Sequence, residues 1–139
     1  MDKRLFFLLN RAQHSLYKYA DAYTDEKIGM TVTQSGVLMI VAQNEGCLQK
    51  LVSELLGLNY SAVTGLVTRM KENDLLEVRN SPDDGRAKQL FLTSKGRSKL
   101  PEIFSAIKKM NKELTREFSE EEIETVSRFL SMTTQRFKP

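Results

Sequence analysis

Apolar residues recur at helical spacing from about Lys3 to Tyr23, where Leu5, Leu8, Leu9, Ala12, Leu16, Tyr19 and Tyr23 form one stripe. Phe6, Phe7 and Tyr17 fall outside that stripe. A helix with apolar residues on more than one face has more than one neighbour, so this one is read as touching a second chain as well as its own domain. Thr31 and Gln34 make a capping-box pattern ahead of Val37, Leu38, Ile40 and Val41, which predicts a second helix up to about Asn44, ended by Gly46. Leu48, Leu51, Val52 and Leu55 then supply the buried side of a short third helix. Gly57 provides a turn, and Asn59 caps a fourth helix from Tyr60 to about Asn73. In outline, the third and fourth helices are a helix-turn-helix.

The period then changes from helical to alternating. Leu76 and Val78, then Leu90 and Leu92, flank the turn cluster Ser81-Pro82-Asp83-Asp84-Gly85, which reads as a β-hairpin. Thr93 caps a long helix with the stripe Leu100, Ile103, Phe104, Ile107, Met110, Leu114 and Phe118, and Pro101 inside it predicts a kink. Ser119 with Glu122 opens a last helix that carries Ile123, Val126, Leu130 and Phe137. The fold class is therefore mainly α with a small β-hairpin. Residues 1–139 form a single winged-helix domain, with a winged helix-turn-helix lobe at 30–99 and flanking dimerisation helices at 1–29 and 100–139.

Composition narrows the function. The 139 residues fit one domain, with 40% apolar and 28% charged residues. No stretch nears the roughly 20 apolar residues of a membrane span, and the run Leu5 to Leu9 is too short for a signal-peptide core of roughly 7 to 15 residues. A soluble, cytoplasmic protein without a membrane partner is expected. One cysteine, Cys47, excludes an intrachain disulfide. One histidine, His14, leaves no set of ligands for a Cys/His zinc site and little material for a His-based acid/base pair. Neither an enzyme, nor a metal site, nor a cofactor is expected. The net charge of +3 is unevenly spread. Residues 48–99 carry nine Lys/Arg against six Asp/Glu, whereas the flanks balance at five against five and seven against seven. The excess thus lies in the helix-turn-helix and hairpin, where a polyanionic partner would meet it.

The fourth helix buries Val63, Leu66, Val67 and Met70, and at 100° per residue its opposite side presents Ser61, Ala62, Thr64, Gly65, Thr68 and Arg69. No acid precedes Glu72. A solvated helix face normally carries long charged side chains. One that enters a major groove benefits from short residues, hydroxyls and an Arg. At the hairpin, Arg79, Arg86 and Lys88 put cations on or near a flexible tip, where an Arg reaches a minor groove, and Asp84 is placed to orient the Arg86 guanidinium. An Asp-Asp-Gly turn alone is only a turn; beside a helix-turn-helix it is a wing.

Asp84-Gly85-Arg86, followed by Leu90, Leu92-Thr93 and Gly96, resembles the D-x-R wing and L-T-x-x-G continuation of the MarR-type winged-helix transcriptional regulators. Leu51-Val52, Leu55-Leu56-Gly57, Ala62-Val63-Thr64 and Leu66-Val67 are similar to that family's two helices, and Thr31 with Gln34 to its second-helix opening. The resemblance implies a symmetric homodimer built from the terminal helices and bound to pseudo-palindromic double-stranded DNA. In that arrangement Arg86 lies in the minor groove with Asp84 as its support, and Ser61, Ala62, Thr64 and Arg69 lie on the reading face. Asp74 departs from the pattern where a Gly is frequent, so Asn73 or Asp74 takes a left-handed cap, and Val78 replaces a common second Arg. Relatives respond to aromatic carboxylates or phenols, to peroxides through a first-helix cysteine, or to metals. Here the first helix lacks a cysteine and Cys47 reads as a small buried hydrophobe; His14 and Tyr17 read as a polar-face and an interface residue. The reading is of a repressor released by a small aromatic or phenolic effector, with no effector site assigned. The alternative is a winged-helix protein-interaction module without specific DNA binding.

Overall fold

The computed structural model describes residues 4–138; the expected helix start at Lys3 lies outside them. Helix α1 (Leu5–Ile28) runs five residues past the expected end at Tyr23. The apolar spacing had hidden this, because the segment after Tyr23 is polar. Yet Ala20, Thr24 and Ile28 recur at every fourth position and are buried, and the Thr24 hydroxyl donates to the Asp21 carbonyl. The helix stops at Gly29, which caps it in the left-handed region. Leu8, Leu9, Leu16 and Tyr23 of the expected stripe are half-buried, while Leu5, Ala12 and Tyr19 are exposed. Phe6, Phe7 and Tyr17, off the stripe, are exposed as that placement predicts.

In α2 (Val32–Gln43) the capping box forms as expected: Thr31 Oγ1 accepts the Gln34 N–H at 3.1 Å and Gln34 Oε1 accepts the Thr31 N–H at 3.0 Å. Asp21 Oδ1 of α1 accepts the Val32 N–H at 2.8 Å, so both helices satisfy the start of α2. Val37, Leu38 and Val41 are fully buried and form the centre of the lobe.

The helix-turn-helix consists of α3 (Gln49–Leu56) and α4 (Tyr60–Glu72), with Gly57 in the left-handed turn between them. The buried face of α3 is only partly the expected one: Val52 is buried and Leu51 half-buried as expected, but Leu48 and Leu55 are not. Leu48 is 41% and Leu55 59% exposed, whereas Gln49 and Val52 are buried and Leu56 Cδ2 reaches 3.2 Å from the position a Cβ would take on Gly36. The helical period was read correctly but its phase is shifted, since a polar residue with a partner displaces a leucine from the inward face.

Strands β1 (Leu76–Asn80) and β2 (Lys88–Leu92) pair antiparallel, with Leu76 opposite Leu92 and Val78 opposite Leu90. Leu76, Leu90 and Leu92 point into the core. The segment before α3 adds a further pairing to β2: Gly46 N–H donates to Leu90 O, and Leu90 N–H to Cys47 O, both at 2.9 Å. Instead of one kinked helix, α5 (Ser94–Ser98) and α6 (Leu100–Thr115) are separated at Lys99. Pro101 lacks the N–H that a continuous helix would need there. Phe118 lies beyond the end of α6, and Ser119 with Glu122 caps α7 (Glu120–Arg136) by a second capping box. The chain divides into two compact units at Ser105/Ala106. The first holds the winged helix-turn-helix. The second ends in α7, none of whose residues is buried. Among the described residues no helix is long and apolar enough to cross a membrane.

Candidate nucleic-acid interface

Helix α4 turns the expected stripe inward: Val63, Leu66, Val67 and Met70 are buried. Ser61, Ala62, Thr64, Gly65, Thr68 and Arg69 are all exposed on the other side. The side chain of Asn59 accepts the Ala62 N–H at 2.8 Å and also the Ser61 hydroxyl at 2.9 Å, which starts the helix where expected. Thr68 donates its hydroxyl to Thr64 O at 2.8 Å, and Thr64 donates its own to Tyr60 O at 2.9 Å. A side chain added at Gly65 would meet nothing within 4 Å, so the helix has a flat spot there facing outward.

The end of α4 is set by Asp74, at φ 59°, while Asn73 keeps an ordinary conformation. Asp74 N–H bonds to Lys71 O and Leu75 N–H to Met70 O, the paired bonds of a Schellman motif, with Met70 and Leu75 both buried. Thr93 Oγ1 braces this turn by donating to Asp74 O at 2.6 Å while accepting the Gly96 N–H at 3.0 Å. Lys95 Nζ donates to Asn73 O at 3.0 Å. Gly96 lies so close that a Cβ there would overlap the Leu75 carbonyl oxygen. This contact is the physical reason for the glycine of the L-T-x-x-G pattern.

At the hairpin tip, residues 82–86 are exposed. Asp84 acts differently from the expected charge-assisted pair. Its Oδ1 accepts the backbone N–H of Arg86 at 3.0 Å, and its carbonyl accepts the Ala87 N–H at 2.9 Å. Asp84 therefore shapes the turn from which Arg86 projects and leaves the guanidinium unengaged. Among the described residues, neither Arg86 nor Arg69 has a side-chain hydrogen bond or ion pair. Arg79 and Lys88 are engaged on the hairpin. Arg79 Nε donates to Glu77 Oε1 at 2.9 Å and its guanidinium lies 4.1 Å from the Phe91 ring centroid. That hydrogen bond holds the Glu77 carboxyl below its usual range. Lys88 Nζ donates to Asn80 Oδ1 across the strand pair at 2.7 Å.

Two residues that sequence reading did not single out complete the frame. Glu45 Oε1 accepts from Leu92 N at 3.3 Å and from Arg97 Nη2 at 3.1 Å, joining the α2–α3 connection to the far end of the wing. Gln49, 3% exposed, donates from Nε2 to Thr64 Oγ1 at 2.7 Å. All three bonds span long sequence separations, so no local pattern signals Glu45; the one clue to Gln49 is its place at helical spacing from Val52 and Leu56. Beside the exposed face of α4, an open pocket of about 370 Å³ is lined by Asp21, Thr33 and Gln34 together with Ala62, Leu66 and Arg69.

The family model described as MarR family matches residues 28–87, from the end of α1 through the hairpin tip. MgrA, an HTH-type transcriptional regulator of Staphylococcus aureus, is 27% identical over 137 residues, covering 99% of this chain and 92% of that protein. The crystal structure of the S. aureus MepR–DNA complex superposes with a TM-score of 0.89 at 22% identity, covering 99% of this chain and 100% of that one. A MarR/EmrR family regulator from Acinetobacter sp. ADP1 superposes with a TM-score of 0.88 at 21% identity, over 97% and 95% of the two chains. These two likenesses show the fold. The family match spans the helix-turn-helix and the wing tip, and the similarity to MgrA runs the length of the chain, so the chain is similar to MarR-type transcriptional regulators in its central lobe and along its whole length.

Proposed function

We propose that the protein binds double-stranded DNA as a homodimer and represses transcription from a pseudo-palindromic operator, with α4 in the major groove and the wing, residues 79–90, in the minor groove. The observation that carries this reading is the exposed short-residue face of α4, with Arg69 on it and Arg86 on the wing both carrying unengaged guanidinium groups. Short side chains allow backbone approach to base edges, and an extended Arg at a loop tip fits a narrow groove. Arg79 and Lys88 contribute charge near the phosphates while bracing the hairpin. The DNA bound to MepR in its crystal structure is consistent with this role. Dimerisation is supported by exposed apolar side chains, Phe6, Phe7 and Tyr19 of α1 in one unit and Val126, Leu130 and Met132 of α7 in the other.

An effector of the small aromatic or phenolic class would release the DNA. The pocket beside α4 suits such a molecule, since Leu66 offers apolar surface and Arg69 a cation. Occupying it removes Arg69 from the groove. The expected measurement is loss of DNA-bound anisotropy on titration with a benzoate.

The test of DNA binding is selection of fragments from genomic DNA, followed by Arg86→Ala. Expected is a specific affinity that falls steeply with salt and drops on substitution. One observation favours the alternative, a protein-interaction module: Leu48, just before α3, and Leu55 on it are exposed. Unchanged DNA affinity in Arg86→Ala, with loss of a protein partner, would select that reading instead.

A further inference from the structure

The apolar stripe that seats α4 is non-directional: Val63, Leu66, Val67 and Met70 hold the helix against the lobe by packing alone, without a directional bond. A directional contact is supplied by Gln49. Its side-chain amide is buried, and Nε2–H donates to Thr64 Oγ1 at 2.7 Å. A buried amide left without a partner is costly, so this bond is kept. Gln49 is also the first residue of α3, and the residues just before it are pinned to the wing by the Leu48–Gln89 bridge and the Cys47–Leu90 hydrogen bond. One short path of bonds therefore runs from β2 through the start of α3 to the exposed face of α4. At its end the Thr64 hydroxyl is committed: its single proton goes to Tyr60 O, and a lone pair takes the Gln49 donor.

We propose that Gln49 is a positioning residue for DNA readout, which fixes the rotation of α4 relative to the wing through Thr64 and thereby sets sequence specificity without touching DNA. This rests on the DNA-binding reading above. Phosphate contacts tolerate a small rotation of α4 because charge attraction is weakly directional, whereas base-edge contacts do not. The signature of Gln49 is thus in the ratio of specific to non-specific affinity.

The test is a double-mutant cycle with Gln49→Met, Thr64→Val and the double variant. Each is measured for thermal unfolding and for affinity toward an operator fragment and a random duplex at one salt concentration. Gln49→Met is expected to keep its affinity for random DNA and to lower the specificity ratio about five- to tenfold, the size of a single coupled contact. Thr64→Val lowers the ratio similarly and also melts lower, because the Gln49 amide is stranded. The double variant loses no more specificity than either single and melts above Thr64→Val. The inference is overturned if Gln49→Met leaves the ratio unchanged, if it weakens both DNAs equally, or if the single losses add in the double. Should Gln49→Met not fold, an unchanged ratio in Thr64→Val overturns it. Wild-type protein that binds no operator fragment would instead remove the DNA-binding reading itself, a result distinct from any of these.

Discussion

At Gly96 the missing side chain is what lets α5 sit against the carbonyl oxygen of Leu75. Replacing it with alanine forces backbone apart, and the expected loss is about 2–3 kcal/mol, read as a lower denaturation midpoint with unchanged slope. Asp74 is the opposite case. It holds a left-handed conformation that glycine adopts without strain, so Asp74→Gly is expected to raise stability by about 0.5–1 kcal/mol and Asp74→Ala to lower it. Calorimetry on the two variants checks the sign. At Cys47, burial pushes the thiol up from its ordinary pKa, and the nearby Glu45 carboxylate adds to the shift. The folded state therefore binds the thiol proton more tightly than the unfolded chain does. This contribution to stability is present in full below the unfolded pKa and is lost as pH rises through the folded one. Alkylation of Cys47 near pH 8 should be slower in the folded protein than in urea.

For the elements, local signals worked where the bonds are local. Both capping boxes, the Asn59 cap and the Gly57 turn join residues at most a few positions apart, and each forms where the spacing predicts it. Two of the errors fall where distant partners decide. The phase of α3 follows Gln49, whose partner Thr64 lies fifteen residues on. The last turn of α1 survives a polar stretch because Thr24 and Ile28 are buried. Helix α4 carries an unusual choice in Gly65, a weak helix former with open space around it. Gly65→Ala is expected to stabilise the free protein by about 0.5–1 kcal/mol and to weaken operator binding about fivefold, as the methyl holds the helix away from the base edges. Thermal melts and anisotropy titrations on the same variant test both signs. Stability without loss of affinity would place Gly65 outside the contact.

For the whole molecule, the +3 charge belongs to residues 48–99, which contain α4 and the wing. A dimer presents that segment twice. The logarithm of the binding constant should then fall with the logarithm of salt at roughly 0.9 per phosphate neutralised, and Arg86→Ala should make the slope shallower. Two-fold symmetry places the half-sites about 10–10.5 bp apart or at a multiple of that. Sedimentation equilibrium at micromolar concentration should return twice the chain mass. A monomer would leave the aromatic side chains of α1 and the apolar face of α7 in water.

Period, caps and turn residues by themselves determined the order of helices and strands up to the split between α5 and α6, the inward stripe of α4 and the exposed face opposite it, because those depend on neighbours within one or two helical turns. The wing and its Arg86 were legible for the same reason, and the family resemblance rested on them. Tertiary structure decided which cations stay unengaged, how Asp84 supports Arg86, and which face of α3 turns inward. It also revealed the pairing of the α2–α3 connection with β2 and the bonds of Glu45 and Gln49. Each of these depends on burial, hydrogen bonds or stacking whose geometry exists only once the chain has folded; in the unfolded chain the same side chains are equally available to water.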